Sequence, residues 1–208
     1  MTSRFSPYWL WAALAIYPAY WIYQSLTSTN DRILHILVHP TGEWSVRLLI
    51  ITLMITPLAM IFKGNEIMRW LRKNRRYFGV AAFAYAAMHT VFYILDKGTF
   101  ERILSELPRL YIWTGWVAFA IFIPLAVTSW DYFIRVMGPR WKPLQRWVYA
   151  AAVLALVHWA SLHNWGHPIG AVLHFAPLAG LEGWRMWFWW SRRHRDRPGD
   201  RPGSPAVA

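Results

Sequence analysis

Two histidines stand in the middle of long apolar segments, and their spacing from the nearest arginines is almost the same. His89 lies 13 residues beyond Arg76, and His158 lies 12 residues beyond Arg146. At the α-helical rise of about 1.5 Å per residue, each imidazole sits roughly 18–20 Å from the start of its segment. An imidazole in hydrocarbon is costly unless it is hydrogen-bonded, paired or coordinated, so an intramembrane histidine is a functional hypothesis by default. Two at one depth on parallel helices suit a shared metal held by two neutral imidazoles, and an iron porphyrin is the group such a pair holds when small residues leave room for the ring. Ala81, Ala82, Ala86 and Ala87, with Gly79 a turn away, are expected to supply that room. The chain has no Cys, which removes thiolate ligation and Cys-bound iron–sulfur clusters.

Six segments must position these groups. Residues 8–26, 44–62, 77–95, 110–130, 147–162 and 169–190 are apolar runs near the ~20 residues that a helix needs to cross a bilayer. They are continuously apolar where strands of a barrel would alternate, which predicts an all-α integral membrane protein with a six-helix bundle. A soluble basic protein, such as one that binds nucleic acid, would not need runs of this length. The 16 Trp and 10 Tyr crowd the segment ends, where aromatic rings anchor helices at the lipid interface. The domain division is one membrane domain over residues 1–194 and a Pro/Gly/Arg-rich disordered cytoplasmic tail over 195–208, with no internal repeat.

The net charge of +12 falls on one face. The loops after the second and fourth segments carry +5 and +3, the tail adds +3 and Arg4 the remainder, while the alternate loops cancel internally. By the positive-inside rule both termini are cytoplasmic. Arg75, Arg76, Arg140 and Lys142 open the third and fifth segments on that face. Besides orienting the helices against anionic lipid, they are candidates to contact a phosphate-bearing cofactor or a soluble donor.

His174, on the sixth segment, is expected close to the layer of the other two, as an alternative ligand, a supporting partner or a quinone-binding group. His163 and His167 flank the last outer loop and read as solvent-facing or propionate contacts rather than a metal pair. His35 and His39 read as polar residues of the first outer loop, and His194 belongs to the tail.

The chain carries a family resemblance in Thr41-Gly42, Ile55-Thr56-Pro57-Leu58-Ala59, Arg75-Arg76-Tyr77-Phe78-Gly79 running into Ala86-Ala87-Met88-His89, Leu125-Ala126-Val127-Thr128-Ser129, and Trp141 through Tyr149 ahead of His158. In this order, over about residues 41–159, it resembles the MsrQ (YedZ) family, within the ferric-reductase-like transmembrane superfamily. The resemblance implies a six-helix b-type cytochrome of the bacterial inner membrane. Such a protein passes electrons from the quinone pool or a cytosolic flavin reductase, with an associated FMN, to MsrP, a periplasmic molybdopterin enzyme that reduces methionine sulfoxide. It also implies that His89 and His158 are the haem ligands. There is one departure. Where the family pattern has a Leu-His motif at the start of the fifth segment, this chain reads Leu144-Gln145-Arg146, and an amide is a poor ligand for haem iron, so one haem is expected. Two alternatives stay open at this point: a ferric or other metal reductase on the same scaffold, and a non-redox scaffold or proton path whose histidines bind no haem.

Overall fold

A computed structural model describes residues 7–162, 165 and 168–195, and among these every regular element is helical. Six helices overlap the six apolar segments, all but α8 having 18 residues or more: α1 (Pro7–Thr27), α2 (Ile33–Ile61), α3 (Glu66–Lys97), α5 (Leu110–Val127), α8 (Val148–Ala160) and α9 (Pro168–Arg195). Three short helices join them, α4 (Phe100–Glu106), α6 (Asp131–Met137) and α7 (Trp141–Gln145). By length and composition α2, α3 and α5 are apolar enough to cross a membrane, and α8 is a shorter apolar helix. Arg4, His163, Asn164, Gly166, His167 and the expected disordered tail beyond Arg195 lie outside the described residues.

α2 begins 11 residues earlier than the apolar run, so His35 and His39 are not loop residues but lie on its first turns. Pro40 and Gly42 sit inside the helix. In lipid the backbone has no water to turn to, so a helix continues through proline when side chains cover the freed groups. Beside the proline, the Thr41 hydroxyl donates to the carbonyls of Leu37 (2.8 Å) and Val38 (2.9 Å) of the same helix. α3 starts where the Asn65 side chain accepts from the amides of Ile67 and Met68 (2.9 and 3.2 Å), and ends at Gly98, whose φ of +71° is the left-handed cap that favours glycine.

The bundle is two helix pairs side by side. α2 packs most extensively on α3, α5 packs on α8, and α9 closes against α2 and α8. Without a hydrophobic driving force between helices in lipid, close backbone approach and interhelical hydrogen bonds hold the pairs. The core supplies both. Ala81, Ala82, Ala151 and Ala152 are buried at helix crossings, and the Ser45 hydroxyl donates to the Ala82 carbonyl at 2.8 Å. The large apolar side chains left exposed, among them Ile16, Val91, Val117, Val153 and Leu173, lie on the outer faces of these helices and suit contact with lipid.

At the arginine-rich end, Arg75 on α3 donates to the Thr56 hydroxyl on α2, and Arg76 pairs with Asp131 at the start of α6. Arg185 on α9 pairs with Glu182 (2.6 Å) and donates to the Tyr149 hydroxyl on α8 (2.9 Å), while the other Glu182 oxygen is buried without a partner.

Candidate haem site

A cavity of about 830 Å³ opens between the two helix pairs and contains both His89 and His158. That volume lies within the ~300–1,000 Å³ of cofactor and ligand pockets. Around the histidines its wall is apolar, with Leu49, Ala118, Phe119, Phe122 and Ala155, and toward the end away from the arginines it becomes polar, with His35, His39, Glu43, Asp96, Lys97, Glu106 and Arg109. At this mouth His35 pairs with Asp96 (3.2 Å), and Glu106 receives Lys97 (2.9 Å), Arg109 (3.2 Å) and the Tyr93 hydroxyl (3.0 Å). Burial alone would push the Glu106 carboxyl up, but the hydrogen bonds and charges of these partners outweigh it and hold the group below the usual carboxylate range.

Both histidines are oriented by the same device. The Nδ1–H of His89 donates to the Val38 carbonyl on α2 at 2.8 Å, and the Nδ1–H of His158 donates to the Tyr111 carbonyl on α5. A carbonyl can only accept, so each ring is the Nδ1–H tautomer and its Nε2 carries the lone pair, which is the arrangement of metal-ligating histidines. Four residues after each accepting carbonyl stands a glycine. A Cβ added at Gly42 would lie 2.8 Å from His89 Nδ1, and one added at Gly115 would lie 2.7 Å from His158 Nδ1. Only glycine lets the imidazole approach the helix this closely.

The ring centroids are 6.1 Å apart and the planes are almost perpendicular, at 86°. A metal bound by each Nε2 at about 2 Å would separate the centroids by roughly twice that bond plus one ring width, close to 6 Å. The tautomers, the spacing and the apolar cavity therefore fit a haem held by two neutral imidazoles. Among the described residues no cluster of three or more His, Cys, Asp or Glu offers a competing metal site.

The two halves of the cavity repeat each other, although no repeat was expected. Val38, Gly42, Ser45, Val46 and Leu49 on α2 correspond in spacing to Tyr111, Gly115, Ala118, Phe119 and Phe122 on α5, and Ala86-x-x-His89 on α3 corresponds to Ala155-x-x-His158 on α8. The shared signal in the sequence is the dipeptide Thr-Gly, at Thr41-Gly42 and Thr114-Gly115, ahead of each histidine.

Other expected residues fall elsewhere. Of the small residues read as room for the ring, Ala86 lines the cavity. Ala81 and Ala82 are instead buried in the core, and Gly79 faces Thr52 of α2. His174 is not brought to the pair. Its Nδ1–H donates to the Gly170 carbonyl of its own helix at 2.7 Å and its ring packs on Trp159, which stands between it and the cavity. Arg75 and Arg76 lie on the helix of His89 but at the end of the bundle opposite the mouth. Gln145 donates its amide to the Leu125 carbonyl (3.0 Å) and the Thr128 hydroxyl (3.1 Å), tying α7 to the end of α5. The sequence does not single out the mouth residues Lys97, Glu106 and Arg109 or the half-buried Glu182–Arg185 pair.

The model of the family described as ferric reductase like transmembrane component matches residues 41–156. Proteins named protein-methionine-sulfoxide reductase heme-binding subunit MsrQ from Brucella ovis, Brucella canis and Brucella suis are each 35% identical over 174 residues, covering 82% of this chain and 75% of the relative. No solved structure matches the chain.

Proposed function

The chain belongs to the ferric-reductase-like transmembrane family and, within it, to the MsrQ subunits, and on that premise we propose that it is a b-type cytochrome that carries electrons across the bacterial inner membrane. The observation that carries the reading is the pair of Nδ1-anchored imidazoles, 6.1 Å apart in an apolar cavity. A bound haem supplies a one-electron carrier between the helix pairs. His89 and His158 hold it through Nε2, the Val38 and Tyr111 carbonyls fix their tautomers, and the apolar wall keeps water from the iron. With no Cys in the chain, the thioether attachment of c-type cytochromes is unavailable and the haem is held without covalent bonds.

In this reading the helices that overlap the six apolar segments form the membrane domain, both termini are cytoplasmic, and the polar mouth faces the periplasm. The electron acceptor is an MsrP-like periplasmic molybdopterin enzyme that reduces methionine sulfoxide in oxidised proteins. The donor is the quinone pool or a cytosolic flavin reductase, entering at the arginine-rich face, with FMN as an associated cofactor. There a flavin phosphate would share Arg75 with Thr56 and Arg76 with Asp131. Gln145 argues against the two-haem metal reductase alternative, because its amide is spent on Leu125 and Thr128 where a second ligand would be needed.

The test is re-oxidation. Protein reduced with dithionite in proteoliposomes should show a b-type spectrum and stay reduced under argon until the purified molybdopterin reductase and a methionine sulfoxide substrate are both present. A reduced spectrum without haem bands, or haem oxidation indifferent to the reductase, would overturn the proposal.

A further inference from the structure

Each carbonyl that accepts a histidine proton also lies within reach of a threonine hydroxyl on its own helix. Thr41 Oγ1 is 2.8 Å from the Leu37 carbonyl and 2.9 Å from that of Val38, the acceptor for His89. Thr114 Oγ1 is 2.7 Å from the Leu110 carbonyl and 3.3 Å from that of Tyr111, the acceptor for His158. Both threonines are fully buried, so their hydroxyls have no water to turn to. A hydroxyl has one proton to give. In Thr41 it is shared almost evenly between two carbonyls, whereas in Thr114 it goes mainly to Leu110.

We infer that Thr41 and Thr114 are positioning residues that set the redox potential of the haem by competing with the histidines for the Val38 and Tyr111 carbonyls. The inference rests on the haem reading above. A hydrogen bond from Nδ1–H to an acceptor makes the ligating imidazole more basic, and a more basic ligand favours the more highly charged ferric iron. A carbonyl already accepting a hydroxyl proton is a weaker acceptor for the ring, so each threonine moderates the basicity of its histidine and raises the potential. The contact lengths grade the effect, with Thr41 the stronger. The device differs from the glycines beside it, which fix where the ring lies and not how strongly its proton is held.

The test is a redox titration of purified haem-loaded protein carrying Thr41→Val, Thr114→Val, and the two Thr→Ser controls, with haem content measured alongside. Valine keeps the volume and removes the hydroxyl, while serine keeps the hydroxyl. Thr41→Val should shift the ferric/ferrous equilibrium about three- to tenfold toward ferric, a fall of roughly 30–59 mV for one electron. Thr114→Val should shift it in the same direction by less, and both serine variants should stay near the wild type. An unchanged or raised potential in Thr41→Val, or a larger shift in Thr114→Val, overturns the inference. So does haem loss from a valine variant whose serine counterpart keeps it, since that would make the hydroxyl a requirement for holding the haem rather than for setting its potential. Wild-type protein that binds no haem would overturn the haem reading itself, a separate result.

Discussion

Replacing Gly115 with alanine should cost haem affinity far more than it costs the fold. The new Cβ would stand 2.7 Å from His158 Nδ1 and 2.9 Å from Cε1, so the ring must retreat by about 0.7 Å to reach the short end of ordinary contact. It can retreat only away from α5, which carries the Tyr111 carbonyl that holds its proton, so clash relief and the orienting hydrogen bond are in direct opposition. In the haem-free protein the ring is free to swing clear, and the gain of ~0.5–1 kcal/mol from alanine in a helix is common to both states and cancels in the affinity. What remains is the cost of displacing a ligand from its supporting partner, typically about 10–100-fold in affinity. Gly42→Ala should behave alike, with its Cβ 2.8 Å from His89 Nδ1. Gly79→Ala is the control, since its nearest neighbour outside its own helix is Thr52 Cγ2 at 3.6 Å, and it should bind haem normally. Titration of haem into haem-free protein in detergent, followed in the Soret band, measures all three. Wild-type affinity in both Gly42→Ala and Gly115→Ala would refute the cradle.

Haem content should be one per chain by pyridine haemochrome, and Gln145→Ala should leave it at one while loosening the α5–α7 contact. A ratio near two would show that another group replaces the missing family histidine. The Arg76–Asp131 pair should add an acid-sensitive component to stability. Arg76 holds the Asp131 carboxyl below its ordinary value of 3.8, so the contribution is complete above that value and is lost as the pH falls below it. Melting of the detergent-solubilised protein against pH should show this acid limb, and Asp131→Asn should flatten it. The double variant Arg75→Gln/Arg76→Gln should slow haem reduction by the cytosolic donor while dithionite reduction is unchanged. Donor-driven reduction at the wild-type rate in a correctly inserted double variant would make these arginines topological determinants only.

The matched depth of His89 and His158 was legible because helical rise converts residue number into distance once the apolar segments and arginine runs are recognised. The start of α2 was not, because His35, His39, Pro40 and Gly42 have the composition of a loop. Only the need to satisfy backbone groups within the segment in lipid turns them into helix. Ala81 and Ala82, unlike Ala86, were misassigned for a different reason. Ala81 and Ala82 are small to let α2 approach closely, as the Ser45 hydroxyl bond shows, whereas the room beside the histidines comes mainly from Gly42 and Gly115 on the neighbouring helices. A two-residue Thr-Gly match has little weight along the chain, and it gained meaning only when both copies were found against a histidine ring. The cavity mouth was equally hidden, since Lys97, Glu106 and Arg109 looked like cancelling loop charges and are gathered only by the turn through α4.

The claim that His89 and His158 together hold one haem is tested most directly by measuring haem content and the reduced spectrum of His89→Ala, His158→Ala and His174→Ala, purified in parallel from membranes at equal protein level. The first two should each lose most or all of the haem, and His174→Ala should keep it with an unchanged spectrum. Full haem content in both His89→Ala and His158→Ala would contradict the account.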